Sequence, residues 1–436
     1  MNRLSPRQQM RHAAVLALIE GALMATIIAP LAITFPLKVL SLVPASEKEG
    51  AISAVSLAGA ITALVFFPIC GYLSDRTVSR WGRRRPWVVG GAAIGVVGSV
   101  IALSSENLAT LILSAILIQL GANAGLASVN SMLAERVSDE QRSKASGWFG
   151  GAGFMALIPA MLITGSTSQL PVLQFLLIPV LALLLATLGC RWLGEAPATP
   201  ETAQKARWSE VFSSLLFNPK KQPLFGWLWI QRAVLQLGYM LMGSFGLYYL
   251  IVRLHLGPTE AASLTGFSSI ASALLGMVAA IAFGYIAARM KSYAPLVIAS
   301  ITAMIVAMGL KAFTADITDY WLALVLSGLA LGAYYAVDLA LVMRVIPAGE
   351  EGRYLGAFNV AKTLPQSVAP ALAPLLLLMG NGDPISGGQQ NYAAVYVFGG
   401  IMAALSFIPL LKLRSILRRD PATTAPQIAP APASVE

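Results

Sequence analysis

This sequence predicts an all-α membrane protein, twelve transmembrane helices arranged as two pseudo-symmetric six-helix bundles, and three observations carry that prediction. Of its 436 residues 57% are hydrophobic and only 11% are charged, too few polar side chains to cover a globular domain in water. Polar breaks divide the chain into twelve apolar stretches of spanning length. Segments of the first half also return in the second at a nearly constant offset.

The stretches lie near 13–39, 51–73, 87–104, 108–133, 146–165, 171–193, 224–252, 261–287, 293–313, 320–343, 355–379 and 392–413. Each reads as a helix, because every backbone amide in hydrocarbon must be bonded inside its own segment, and ~20 residues cross the core. The first follows "MNRLSPRQQMRH" without a small-residue cleavage site after a short apolar core, so it reads as a retained span and not a signal peptide. Cys70 and Cys190 fall within or at the ends of spans, as small packing residues and not as a disulfide framework. His12 and His255 are far apart and no Cys/His cluster accompanies them. No metal or cofactor is expected, nor a nucleophile–base arrangement that would make the chain an enzyme.

Short loops rich in Lys and Arg stay on the cytoplasmic side. With both termini inside, 24 of the 30 basic residues fall in cytoplasmic loops and tails; Lys38, Lys48, Arg253 and Lys311 lie outside, and Arg232 and Lys362 lie within spans. The expected address is a bacterial inner membrane. The net charge of +10 follows from this topology, being spread over many short loops, and no nucleic-acid partner is expected.

Much of that charge sits in one turn, "SDRTVSRWGRRRPW", residues 74–87. With Gly71 ahead of it, "GYLSDR…GRRRP" resembles the signature between helices two and three of the major facilitator superfamily, where an aspartate and arginines form a charge relay. The longer form with its "TVSRW" insert is similar to the glycoside–pentoside–hexuronide cation symporters and the related sucrose-transporter-like branch. The resemblance implies the twelve-helix transporter fold, a sugar or glycoside as substrate, and gating by Asp75, Arg76, Arg83 and Arg84. Physically, Asp75 can sit near the amino end of a neighbouring helix or pair with an Arg of its own loop, stabilising a closed cytoplasmic state. Asp75→Asn is expected to fold and to slow uptake severely.

The internal repeat supports two halves with the substrate between them. "GYLSDR" at Gly71–Arg76 returns as "GYIAAR" at Gly284–Arg289, an offset of 213, and "VNSMLAERV" from Val129 returns as "VDLALVMRV" from Val337, an offset of 208. The second comparison aligns Arg136 with Arg344, both assigned to gating, and sets Asn130 against Asp338; Ala288 stands where Asp75 has no acidic counterpart. The expected organisation is an N-terminal bundle over 1–193, a cytoplasmic linker over 194–223, a C-terminal bundle over 224–419 and a disordered tail over 420–436. Within the linker, "RWSEVFSSLLF" has apolar positions at helical spacing and suits the membrane surface.

Ionisable side chains inside a span cost ~2.5–3.5 kcal/mol on insertion scales and face a cavity or a partner. Glu20, Arg232, Asp338 and Lys362 qualify. Glu20 and Arg232 are repeat counterparts at an offset of 212, expected to meet across the central cavity, while Asp338 and Lys362 form a second expected pair. Melibiose-permease-like relatives place an acid in this part of the first helix, which implies a binding role for Glu20. Gln119 and Asn123, four apart on one helix face, with Asn130, Gln231, Gln236, Asn359 and Gln366, offer donors and acceptors for sugar hydroxyls, and Tyr239, Tyr334 and Tyr335 offer rings for a pyranose face.

The second span, "AISAVSLAGAITALVFFPICGYL", has no acid and supplies only Ser53, Ser56 and Thr62, too few oxygens for a hard cation. A proton needs one carboxylate. The expected function is therefore proton-coupled uptake of a sugar or glycoside by alternating access, in a monomer within the lipid bilayer, with Glu20 the first coupling acid and Asp338 the second. Two other readings stand beside it. One is an exporter of drugs or amphipathic metabolites, suited by 15 methionines; the other is a non-transporting assembly factor on the same fold.

Overall fold

The computed structural model describes residues 5–137, 156, 158–195, 197–198, 219–220, 222–243, 245–290, 292–313, 316–346, 351–380 and 382–417. Among them every long element is a helix. The first span, α1, runs as an α-helix from Pro6–Ala29, a π-helical turn at Pro30–Thr34 and a further α-helical piece, Phe35–Leu42. Its start is fixed locally: the Ser5 hydroxyl accepts from the Gln8 N–H at 3.3 Å while the Gln8 side chain accepts from the Ser5 N–H at 2.9 Å, a reciprocal capping box ahead of Pro6.

The chain continues as α2 (Lys48–Arg76), α3 (Arg85–Ser104), α4 (Leu108–Arg136), α5 (helical over 158–166) and α6 (Pro171–Leu193). The second half follows as α7 (Pro223–Gly243, resuming after a bend as Gly246–Arg253), α8 (Pro258–Arg289), α9 (Ala294–Ala312), α10 (Ile317–Met343), α11 (Glu351–Leu377) and α12 (Tyr392–Leu405, then Phe407–Lys412). Phe245 makes the bend in α7 with a φ of 58°, a left-handed conformation uncommon for a residue with a side chain.

Nine of these helices are long and apolar enough to cross a membrane, or ten with the bent α7. The other two have plain reasons for falling short: half of α5 lies outside the described residues, and α11 carries Lys362, Gln366 and the internal prolines Pro365, Pro370 and Pro374. The expected surface helix in the linker, most of the linker itself and the 420–436 tail also lie outside the described residues.

The two halves repeat one packing scheme. In the first, α3 packs on α4 and α6, α2 on α4, and α1 on α6; in the second, α9 packs on α10 and α12, α8 on α10, and α7 on α12. Glycines let the paired backbones approach, as small residues do inside membranes where water offers no hydrophobic drive between helices. A β-carbon on Gly91 would lie 2.4 Å from the Gly121 carbonyl oxygen across α3 and α4, and one on Gly332 would lie 2.3 Å from the Gly276 oxygen across α10 and α8. Between halves, α2 packs on α11, and α5 on α8, where a β-carbon on Gly266 would come within 2.8 Å of the Met161 oxygen.

Candidate functional site

Three charged regions are stacked along the bundle: a central one, a basic end that includes the 74–87 turn, and the far end opposite. At the centre, α7 and α10 bring Arg232 Nη1 within 3.1 Å of Asp338 Oδ2, both groups largely buried, and the guanidinium lies 4.1 Å from the centre of the Phe358 ring on α11. The Tyr334 hydroxyl donates to Gln231 Oε1 at 2.8 Å and the Tyr335 hydroxyl to Gln236 Oε1 at 3.1 Å, while Tyr239 bonds to Ser272. Lys362 on α11 stands 6.0 Å from the Tyr335 ring and within electrostatic reach of Arg232, Asp338 and, from the other half, Glu20. Glu20 Oε2 is buried and has no hydrogen-bond partner. A carboxylate oxygen of the first half is thereby left at the centre with unmet bonding capacity.

One expected pair is not made: Arg232 turns to Asp338 and not to Glu20, while Lys362 keeps Asp338 within electrostatic reach and is also the cation that acts on Glu20. The reason is local to one half: Arg232 finds an acid on α10 and an aromatic face on α11, although its Nε is left without a hydrogen-bond partner. The amides are also partly committed. Asn123 donates to both the Gln119 backbone oxygen (2.7 Å) and its side-chain oxygen (3.0 Å), Asn130 donates back to Leu126 at 2.8 Å, and Gln366 is exposed. The side chain of Asn359 lies outside the described residues.

At the basic end the signature turn is bound to its own half. Arg84 is buried and its Nη2 lies 2.6 Å from both Asp75 Oδ1 and Glu135 Oε1; Arg83 also pairs with Glu135. Of the two uses expected for Asp75, the structure takes the pairing with an Arg of its own loop. The amino end of α3 is filled instead by Glu195, whose carboxylate accepts from the N–H groups of Arg83 (3.2 Å), Arg84 (3.3 Å) and Arg85 (3.2 Å). A carboxylate there meets unpaired amides and the positive end of the helix dipole. Gly82 makes room: its φ is +92°, and a β-carbon would lie 2.3 Å from Glu195 Oε2.

Arg76 lies over the Tyr72 ring at 4.0 Å. Arg136 and Arg344, aligned by the repeat, do the same work in each half: Arg136 donates to the Leu193 oxygen at the end of α6 (2.9 Å), and Arg344 to the Ile416 oxygen beyond α12 (2.9 Å). Both place a cation on carbonyls left open at a helix carboxyl end.

The far end adds one finding and corrects one reading. Lys48, Arg253 and Lys311, assigned to the outer side, are all buried. Arg253 Nη2 pairs with Asp383 Oδ2 at 2.9 Å with neither side chain exposed, and Lys311 Nζ lies 5.1–5.5 Å from the rings of Tyr249, Tyr320 and Tyr396 while donating to the Met242 oxygen. The second span, expected over 51–73 without an acid, extends as α2 from Lys48 to Arg76, and so carries Glu49 in its first turn and Asp75 in its last. Glu49, Glu135, Glu195 and Asp383 were all missed because each sits at the edge of an apolar run, where a carboxylate reads as solvated. The N-terminal position of Glu49 in α2 was a usable signal.

Residues 13–370 match the family described as Major Facilitator Superfamily. A general alpha-glucoside permease of Schizosaccharomyces pombe is 31% identical over 114 residues, which is 22% of this chain and about a fifth (21%) of the permease's length. Among solved structures, the nucleoside transporter NupG superposes with a TM-score of 0.69 at 15% identity, covering 95% of this chain and 99% of that one. A bacterial homologue of the human lysosomal transporter Spinster gives 0.61 at 14% identity, covering 94% and 95%. The family match across most of the chain, apolar helices in two packed halves and the fold shared with these transporters make one conclusion: the chain belongs to the Major Facilitator Superfamily, and is a multi-pass membrane transporter and not an enzyme.

Proposed function

We propose that this protein is a secondary active transporter that takes up a sugar or glycoside together with protons by alternating access. The observation that carries the reading is Glu20: a carboxylate from the first half with a buried, unpartnered oxygen, whose balancing cation, Lys362, comes from the second half. An attraction across the gap favours one arrangement of the bundles. Neutralising Glu20 with a proton removes it and leaves Lys362 to Asp338, so binding a proton changes which arrangement is lower in energy.

The 74–87 turn's likeness to glycoside symporters and the local similarity to an alpha-glucoside permease support a sugar, with Gln119, Asn123, Gln236, Asn359 and Gln366 as the polar groups nearest in kind to its hydroxyls. Between Glu49 and Asp75 α2 offers no carboxylate for sodium. In this reading the protein works as a monomer, residues 1–193 and 224–419 are the moving bundles, 194–223 links them, 420–436 forms a tail, and the basic end faces the cytoplasm of a bacterial inner membrane.

Uptake of labelled α-glucosides into proteoliposomes tests this. An imposed pH gradient, inside alkaline, drives accumulation and a sodium gradient does not; Glu20→Gln abolishes the gradient-driven component while the purified variant keeps its melting temperature. Uptake that follows sodium and ignores pH overturns the coupling, and the absence of any solute flux favours an assembly role.

A further inference from the structure

We infer that the Glu49 carboxylate and the Tyr392 hydroxyl form a latch that holds the two bundles shut at the far end of the molecule. The inference rests on the alternating-access reading above and not on the substrate or the coupling ion. Glu49 belongs to α2 of the first half and Tyr392 to α12 of the second, and the hydroxyl donates to Glu49 Oε1 at 2.8 Å. Both side chains are buried: Glu49 is 4% and Tyr392 1% exposed. A hydrogen bond to a buried charged acceptor is among the stronger ones available.

Each side of the latch is built in advance. On the first half, Glu49 lies in the first turn of α2, where the helix dipole favours an anion, and Lys48 Nζ stands 3.6 Å from it. On the second, the amino end of α12 is pinned by Asp383, whose Oδ2 accepts from the N–H groups of Tyr392 (3.0 Å) and Ala393 (3.3 Å) and from Arg253 at 2.9 Å. Arg253 in turn donates to the Ala312 oxygen at the end of α9. The Tyr392 ring is therefore presented by a frame that spans α7, α9 and α12.

Two further contacts join the halves at the same level. The Tyr248 hydroxyl donates to the Pro36 oxygen of α1 at 2.9 Å, and Lys48 Nζ lies 5.4 Å from the Tyr248 ring. Glu49 Oε2 has no hydrogen-bond partner in this closed arrangement. Parting the bundles gives water to that oxygen and to Lys48, which offsets part of the loss of the Tyr392 bond. A contact of this kind closes firmly and still releases, as a gate in a cycle must.

The test is a distance measurement. In a Cys70→Ala, Cys190→Ala background, spin labels on Ser46→Cys and Glu260→Cys, both exposed at the far end and in different halves, report separation by pulsed dipolar spectroscopy in nanodiscs. Glu49→Gln and Tyr392→Phe each raise the ratio of long to short distances about tenfold, the effect of losing one charge-assisted hydrogen bond. The double variant adds nothing, since both changes remove the same bond. The inference is overturned if the ratio in folded, monodisperse variants stays within about twofold of the parent. Should Tyr392→Phe fail to fold, Glu49→Gln decides alone, because glutamine keeps the volume. No ligand or gradient enters, so failure here and failure of proton-coupled sugar uptake are read separately.

Discussion

The two ends of the bundle use their charges in opposite ways. At the basic end the ion pairs and charged hydrogen bonds seen among the described residues do not join the halves: Asp75, Arg83, Arg84 and Glu135 belong to the first, capped by Glu195 at the start of the linker, and Arg344 with Ile416 to the second. At the far end the Arg253–Asp383 pair and the Lys311–Met242 bond also stay within the second half, but other polar contacts cross: Glu49 with Tyr392, Tyr248 with Pro36, and Gln169 with Thr259. A charge network therefore does not have to be a gate. At the basic end it braces loops and helix termini of one half, and at the far end, in the proposed cycle, it joins bodies that separate. Which role a residue has depends on whether its partner is in the same bundle, and that is a fact of three-dimensional packing.

The largest loss is expected at the far end's frame. Arg253→Met leaves the Asp383 carboxylate fully buried without its cation, and is expected to lower stability by about 3–5 kcal/mol in thermal unfolding of the detergent-solubilised protein. Asp383→Asn added to it recovers most of that loss, because the uncompensated charge disappears while an oxygen remains to cap α12. At the basic end, Gly82→Ala forces a β-carbon into both a left-handed φ and the Glu195 carboxylate, for a loss of about 1–3 kcal/mol in the same assay.

The smallest effect belongs to the Arg84 ion pairs of the same turn. Asp75 and Glu135 are 30% and 39% exposed, so water replaces much of what Arg84 supplies, and Arg84→Gln is expected to cost about 1 kcal/mol. Its far-end spin-label distances stay those of the parent. A shift toward longer distances in that variant would show that the two ends communicate and would erase the distinction drawn between brace and latch.

How much of this was legible beforehand differs by element. The spans were readable because the membrane imposes one requirement, about twenty apolar residues per helix, that every stretch must meet by itself. The equivalence of Arg136 and Arg344 was also readable, since a duplicated chain keeps a residue at one place in each copy, and both proved to brace carbonyls at the ends of α6 and α12. The central residues Glu20, Arg232, Asp338 and Lys362 stood out because charge is costly in hydrocarbon. Their pairing was not legible, since Arg232 had two acids at comparable depth to choose from. Likewise Glu49 and Asp383, at the margins of apolar runs, carry no sign in the sequence that water has been taken from them.

By itself, then, the amino-acid order determined the number of helices, their division into related halves and which side chains must find partners, because each of these follows from the cost of placing a peptide group or a charge in hydrocarbon. Only the tertiary structure decided who those partners are. Pairing depends on which helices come together in space, and the fold sets Arg232 of α7 against Asp338 of α10 and Glu49 of α2 against Tyr392 of α12, partners separated by as many as 343 residues of chain.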